Sequence, residues 1–301
     1  MGDGRNLKAS LLVMGSAVLY GICPTMIKWT YAYGTNGLLS TFYICLFALP
    51  FLFGWTRRAH ISLRVDRRTL GKLLLLALGS SATSLMLYSS FAFIPVGMST
   101  TLHFVYPVMV AAYLFLFFGQ RLGGLRLGAL ALTAAGILCQ SLQSLTGGNL
   151  LGIVLAVLSG MTWAFYMVFM EKSGLHTLHA SVLNFYMALA NAVCAGLACL
   201  VTHQFASLSG VRVWLVLALI AFLQRVAANA MFQVGLRGTG SFLAGIFSTF
   251  ELVASVFAGV VALHERFLPT QILGMALILA GIAINTWAGA AERRRGAVAR
   301  R

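Results

Sequence analysis

Two charged residues stand where charge is costly. Arg225 and Glu251 each lie about halfway along a long apolar run. An ionisable side chain inside such a run costs roughly 2.5–3.5 kcal/mol on insertion scales and faces a cavity or a partner. Arg225 offers a planar fork of donors that suits a carboxylate or phosphate. Glu251 offers a place for a substrate cation or for an exchangeable proton. The two runs are consecutive, so the same residues can also meet as a buried ion pair that locks helices together, and both readings stand at this point. Asn229 follows Arg225 by four residues, on one helical face, with Gln224, Phe232 and Gln233 extending the stripe. Such a stripe fits a cavity better than lipid, which offers no hydrogen-bond partners.

A second focus is His103 with Tyr106. Pro107 has no N–H to donate, which frees the carbonyl of His103 and predicts a kink with a bare carbonyl beside an imidazole. Irregular backbone of this kind is tolerated where it lines a cavity. His103 joins Glu251 as a candidate for proton coupling. The first apolar run adds Tyr20, Pro24 and Lys28, with Lys28 expected to snorkel to the outer surface. Other runs carry Thr162, Trp163 and Tyr166, then Ser80, Ser81, Thr83, Ser84 and Tyr88, then Asn184 and Asn191 on one face. The expected substrate contacts are Arg225, Glu251, His103, Tyr106, Asn229, Ser84, Tyr88, Trp163 and Tyr20. Small hydroxyls elsewhere in these runs serve helix packing.

Other chemistries find little support. The five cysteines, Cys23, Cys45, Cys139, Cys194 and Cys199, lie inside apolar runs without metal-ligand or disulfide spacing. No metal site, cofactor motif or phosphate loop is evident, and neither H-E-x-x-H nor G-x-S-x-G occurs, so an enzyme is not expected.

The elements that must hold these residues follow from composition. The 301 residues are 60% hydrophobic and 9% charged, with a mean hydropathy of +0.90. A soluble domain carries about 25% charged residues, so the solvent here is lipid. Ten runs approach spanning length: Ala9–Thr30, Gly37–Trp55, Leu70–Phe91, Pro95–Phe118, Leu125–Leu142, Leu150–Met170, Ser181–Val201, Val213–Leu236, Ser241–Leu263 and Thr270–Ala288. The net charge of +15 falls between runs, where it sets topology rather than attracting nucleic acid. With both termini cytoplasmic, seventeen of the 21 basic residues lie inside, while Lys28, Arg212 and Arg266 lie outside and Arg225 lies within a span. That places the chain in the cell inner membrane. Clusters such as Arg57–Lys72 and Arg293–Arg295 anchor it to anionic lipid.

The chain also resembles itself. Tyr106-Pro-Val through Gln120-Arg121-Leu122 aligns with Glu251-Leu-Val through Glu265-Arg266-Phe267 at an offset of 145 residues, and Ala17-Val-Leu-Tyr-Gly21 aligns with Ala156-Val-Leu-Ser-Gly160 at an offset of 139. Ten spans are then two copies of five. Five is odd, so the second copy enters from the opposite side, the inverted-topology construction of secondary transporters. The fold expected is an all-α integral membrane protein: ten transmembrane helices in two inverted repeats, residues 1–146 and 147–290, with a basic cytoplasmic tail at 291–301.

The motif after each fourth span, Phe118-Gly119-Gln120-Arg121-Leu122 and His264-Glu265-Arg266-Phe267, is one part of a further likeness. The other is the pair of glycine-bounded helices, Ala129-Leu-Ala-Leu-Thr-Ala-Ala-Gly136 and Gly274-Met-Ala-Leu-Ile-Leu-Ala-Gly281. Together they resemble the EamA family of the drug/metabolite transporter superfamily across nearly the whole chain. Gln120 stands where that family usually has Glu, Leu252 where it usually has Pro, and Tyr106 stands opposite Glu251. The resemblance implies transport, often export, of a metabolite by alternating access. Two basic candidates in the membrane tilt the expectation toward a solute with an anionic group, such as an amino acid or organic acid. The expected partners are that small molecule and membrane lipid, with a coupling proton and a second copy of the chain as further candidates and no cofactor. A membrane scaffold and an intramembrane enzyme are the alternatives.

Overall fold

The computed structural model describes residues 3–119, 123–146, 149–175, 178–232, 234–235, 247 and 250–298. Among these, every regular element is helical. Helix α1 (Asp3–Thr30) runs into a 3-10 turn at Tyr31–Tyr33, which ends on Gly34 at φ 94°, a conformation that favours glycine. Helix α2 (Gly37–Arg58) starts at Asn36, whose side chain accepts from the Leu39 amide at 2.9 Å. Helix α3 (Arg67–Ser90) starts at Asp66, which accepts from the Thr69 amide at 3.0 Å. Both are side-chain caps that satisfy otherwise orphaned first-turn donors.

The fourth apolar run is two helices, α4 (Val96–His103) and α5 (Tyr106–Phe118), separated by a break at Phe104 and Val105. Pro107 sits in the first turn of α5, where a missing N–H costs nothing. Then follow α6 (Gly124–Thr146), α7 (Leu150–Ser173), α8 (Ala180–Val201) and α9 (Val211–Ile220). Helix α9 continues into a π-helical segment at Ala221–Ala228, where an α-helix was expected. The last two helices are α10 (Phe250–Leu263) and α11 (Pro269–Val298). Seven segments among the described residues are long and apolar enough to cross a membrane, and three shorter apolar helices, Gly124–Cys139, Phe250–Leu263 and Pro269–Ile284, join them. Most of the expected ninth run before Phe250, like Gln120, Arg121, Leu122, Gln233 and Arg237, lies outside the described residues.

Close packing rather than hydrophobic expulsion holds helices together in lipid, and glycines mark where it is tightest. A methyl group on Gly136 of α6 would stand 2.7 Å from the Gly274 carbonyl and the Ile278 side chain of α11, and one on Gly281 of α11 would stand 2.9 Å from the Ala129 carbonyl of α6. Residue 136 therefore faces 274–278 while 281 faces 129, so α6 and α11 run antiparallel with reciprocal contacts. Helices α2 and α8 do the same. Gly196 faces the Phe42 ring, and Phe53 meets Phe185 at 6.4 Å between centroids.

The remaining helices form two groups. Helix α1 packs on α10 and on the α9–π unit, and α7 packs on α3, α4 and α5. Gly21 lets α1 touch the α10 backbone, with Ala254 Cβ at 2.6 Å and the Ser255 amide at 2.9 Å from an added methyl. Gly160, its counterpart in the repeat, lets α7 touch the α4–α5 break, with the His103 carbonyl at 2.5 Å. The groups meet mainly where α10 crosses α4, and there Ser255 Oγ donates to Thr100 Oγ1 at 3.0 Å.

Candidate functional site

The polar residues singled out from the sequence come together between these two groups. From one side, Tyr20 of α1 donates its hydroxyl proton to Asn229 Oδ1. Asn229 Nδ2 in turn donates to the Arg225 carbonyl at 3.0 Å. The wide π-helical turn carries Gln224 and Arg225 toward the other group, a geometry often found at functional sites. Arg225 Nη2 donates to Ser84 Oγ of α3 at 3.3 Å, and Tyr88 of α3 donates to Gln224 Oε1 at 2.9 Å. Tyr88, Ser84 and Gln224 are buried.

Arg225 is poorly satisfied for its surroundings. A guanidinium has five N–H donors, yet Nε is buried with no acceptor among the described residues, one long bond to a serine serves Nη2, and the soft Cys45 thiol is the other hydrogen-bonding neighbour. Tyr88, Tyr20, Tyr166 and Cys45 lie within electrostatic reach of it. No salt bridge joins Arg225 to Glu251, so the ion-pair alternative is not what the structure shows. Glu251, in the first described turn of α10, instead lies within electrostatic reach of Tyr20, Tyr106 and Cys23.

His103 ends α4 and is buried at 7% exposure. Its Nδ1 lies 2.9 Å from Ser159 Oγ, and that hydroxyl already donates its one proton to the Ala156 carbonyl at 2.6 Å. Nδ1 is therefore the donor, and Nε2 of the neutral ring is the acceptor. The imidazole stands 5.6 Å from the Tyr106 ring and 6.5 Å from the Trp163 ring, and Trp163 stacks on Tyr166 at 4.6 Å and 10°. The nine expected contacts thus make one band: Tyr20, Asn229, Arg225, Ser84, Tyr88 and Glu251, continued through Tyr106 to His103 and Trp163.

Several neighbours have other roles. Asn191 Nδ2 donates to Ser80 Oγ at 3.1 Å, tying α8 to α3, and Thr83 meets Thr162 at 2.8 Å, tying α3 to α7. Lys28, expected to snorkel, is held by a partner in the protein: its Nζ donates to the Phe91 carbonyl at the end of α3. Cys45, expected only to pack, and Tyr166, not among the nine expected contacts, both lie near the guanidinium. The spacing of Trp163 and Tyr166, one turn apart, carried the signal for the latter. Two hollows lie away from the band. One of about 390 Å³ is apolar and sits between α5 and α6, lined by residues such as Val108, Met109 and Leu130. The other, of about 490 Å³, runs between α2 and the π-helical segment, with Trp55, Arg58 and Phe222 on its walls.

A bundle of apolar helices enclosing a half-satisfied arginine, built from repeated segments, defines a multi-pass membrane protein with an internal polar site. The sequence profile of the EamA-like transporter family matches residues 7–142 and again residues 150–287, and the chain belongs to that family. The family points to membrane transport rather than to enzymatic chemistry. A relative, the uncharacterized transporter sll1319 of Synechocystis sp., is 27% identical over 206 residues, covering 66% of this chain and 61% of the relative. This chain therefore spans less than two thirds of that relative's length. A crystal structure of a protein 16% identical in sequence shares the fold, with a TM-score of 0.63 over 92% of this chain and 98% of that one.

Proposed function

We propose that this chain is a ten-span secondary transporter that exports a small solute bearing a carboxylate or similar anionic group, by alternating access between inverted repeats at residues 1–146 and 147–290. The observation that carries the substrate class is the Arg225 guanidinium, whose Nε is buried with no acceptor among the described residues and whose Nη2 has one long bond to Ser84. An incoming carboxylate supplies the two acceptors that a planar fork lacks here. Ser84 accepts from the guanidinium, Tyr20 and Asn229 hold the backbone at Arg225 through its carbonyl, and Tyr106, Trp163 and Tyr88 wall the site. Glu251, with no salt-bridge partner among the described residues, carries the coupling proton or holds a cationic group of the solute, and His103 Nε2 is a second proton acceptor.

The topology has independent support. The antiparallel, reciprocal contacts of α6 with α11 and of α2 with α8 are those expected of two copies related by a two-fold axis in the membrane plane. Gly21 and Gly160 play the same role in opposite copies. The three shorter apolar helices complete ten spans with the seven long ones. The placement of seventeen of 21 basic residues favours an inner-membrane protein with cytoplasmic termini and a basic tail at 291–301.

The test is flux through purified protein in proteoliposomes. Small carboxylates should move down an imposed gradient, their esters or decarboxylated analogues should not, and Arg225→Ala should abolish movement while the protein stays folded. If no carboxylate moves, or the Arg225 variant transports normally, the assignment is wrong.

A further inference from the structure

One end of the molecule is closed by bonds that run from one helix group to the other. Lys28, in the last turn of α1, donates to the Phe91 carbonyl just past α3. Tyr31 donates to the Tyr88 carbonyl, also at the end of α3. Glu265, just beyond α10, accepts from the Val96 amide at 2.7 Å and from the Gly97 amide at 3.4 Å, the first two residues of α4. Gly259 makes room for that carboxylate, since any side chain there would collide with it. Lys28 and Glu265 also attract each other. The Val96 and Gly97 amides and the Phe91 carbonyl are helix-end groups without an intrahelical partner, and the Tyr88 carbonyl has only a long bond from the Phe91 amide at 3.3 Å, so α1 and α10 help to satisfy α3 and α4.

The repeat does not carry these residue types at the corresponding positions of the other end. In the repeat, the counterpart of Lys28 at an offset of 139 is Met167, and the counterpart of Glu265 at an offset of 145 is Gln120. A methionine has no donor for a helix-end carbonyl, and a glutamine offers one acceptor oxygen and a donor where a carboxylate offers two acceptors. We infer that Lys28 and Glu265 form a one-sided latch that makes closure at this end the resting state, so that the empty transporter stands open at the other. Resting on the topology proposed above, the latched end is the outer one and the resting transporter faces the cytoplasm, which suits loading for export.

The latch is breakable. Burial pushes the Glu265 carboxyl up from its ordinary value, while the Val96 and Gly97 amides and Lys28 pull it back down. Water entering at this end offers the carboxylate replacement donors for the Val96 and Gly97 amides, so these bonds can exchange.

Hydrogen exchange on the full chain in lipid nanodiscs, compared for the wild type, Glu265→Ala and Lys28→Met, tests this. Each variant should speed exchange several-fold in the last turns of α10 and the first turns of α4. Each should also slow it in α5 between Tyr113 and Phe118, because opening one end of an alternating-access protein closes the other. Faster exchange at the latched end with no slowing in α5 would mean local loosening only, and the latch would fall; no change at either end would do the same. The side of the membrane is read separately, from the accessibility of a carboxy-terminal tag in intact cells. A tag exposed outside would sink the topology and the cytoplasmic resting state while leaving the latch intact.

Discussion

Arg225 Nη2 and Ser84 Oγ stand 3.3 Å apart, and together with the bond from Tyr88 to Gln224 that contact joins the helix group of α1, α9 and α10 to the group of α3, α4, α5 and α7 at the site. A neutral serine is a weak partner for a guanidinium inside a membrane. The residue is held in place without being satisfied, which is the condition for binding an anion strongly. Removing it should therefore have opposite effects on the empty and the loaded protein. Arg225→Met should leave the apo melting temperature unchanged or raise it, since an under-satisfied buried charge is removed. It should abolish stabilisation by added carboxylates. Hydrogen bonds to charged groups contribute about 1.5–3 kcal/mol, so affinity should fall roughly ten- to a hundredfold or more. Melting curves with and without a panel of small carboxylates measure both effects.

Glu251 has a different expected signature. Glu251→Gln keeps the shape and removes the titrating group. Movement of solute down its own gradient should survive, while a pH gradient imposed across proteoliposomes should no longer drive accumulation. Persistent drive by the pH gradient in this variant would move the coupling role to His103, to be checked with His103→Gln.

The π-helical turn at Ala221–Ala228 holds one residue more per turn than its flanks need. Deleting Ala227, between Arg225 and Asn229, should let the segment relax to an α-helix while the flanking turns keep their phase. Asn229 then follows Arg225 by three residues instead of four, so the Arg225 carbonyl loses its partner, and Gln224 and Arg225 lose the wide turn that carries them toward α3. We expect a folded protein with a near-normal circular dichroism spectrum and no measurable transport.

Gly160 faces the His103 carbonyl at a distance that no side chain can share. Gly160→Ala should destabilise by about 1–3 kcal/mol through overpacking at the α4–α5 break, read as a lower melting temperature. Gly71 has open space around it, so Gly71→Ala should be neutral or stabilise by about 0.5–1 kcal/mol through lower backbone entropy. The contrast separates steric contact from helix propensity.

Asp66 lies outside the membrane spans, and its bond to Thr69 holds its carboxyl below the usual carboxylate value. A depressed pKa means that the cap contributes stability above the ordinary Asp range and loses it as pH falls through the lowered value. Asp66→Ala should lower the melting temperature at neutral pH, and the difference from wild type should close as the medium becomes strongly acidic.

Composition and pattern by themselves determined the solvent, the apolar helical segments, the duplication and the residues to watch. The reasons are local. Lipid tolerates few charges, a span needs a known length, and a duplicated gene leaves matching residues such as Gly21 and Gly160. Arg225, Glu251 and His103 were legible because charge and imidazole are conspicuous in apolar sequence, and Pro107 announced a disturbance near His103, though not that the helix would part at Phe104. What stayed hidden depends on neighbours far apart along the chain. Arg225 could not be known to meet Ser84 rather than Glu251, because the choice is set by the π-helical turn, and no local residue pattern encodes it. Lys28 looked like a snorkelling anchor because a sequence does not reveal the Phe91 carbonyl 63 positions away. Glu265 looked like a loop residue beside its own helices, and only packing brought it to the first turn of α4. A side chain's chemistry is written in its residue type, whereas its partner is chosen by whichever unsatisfied backbone or side-chain group the bundle places within reach.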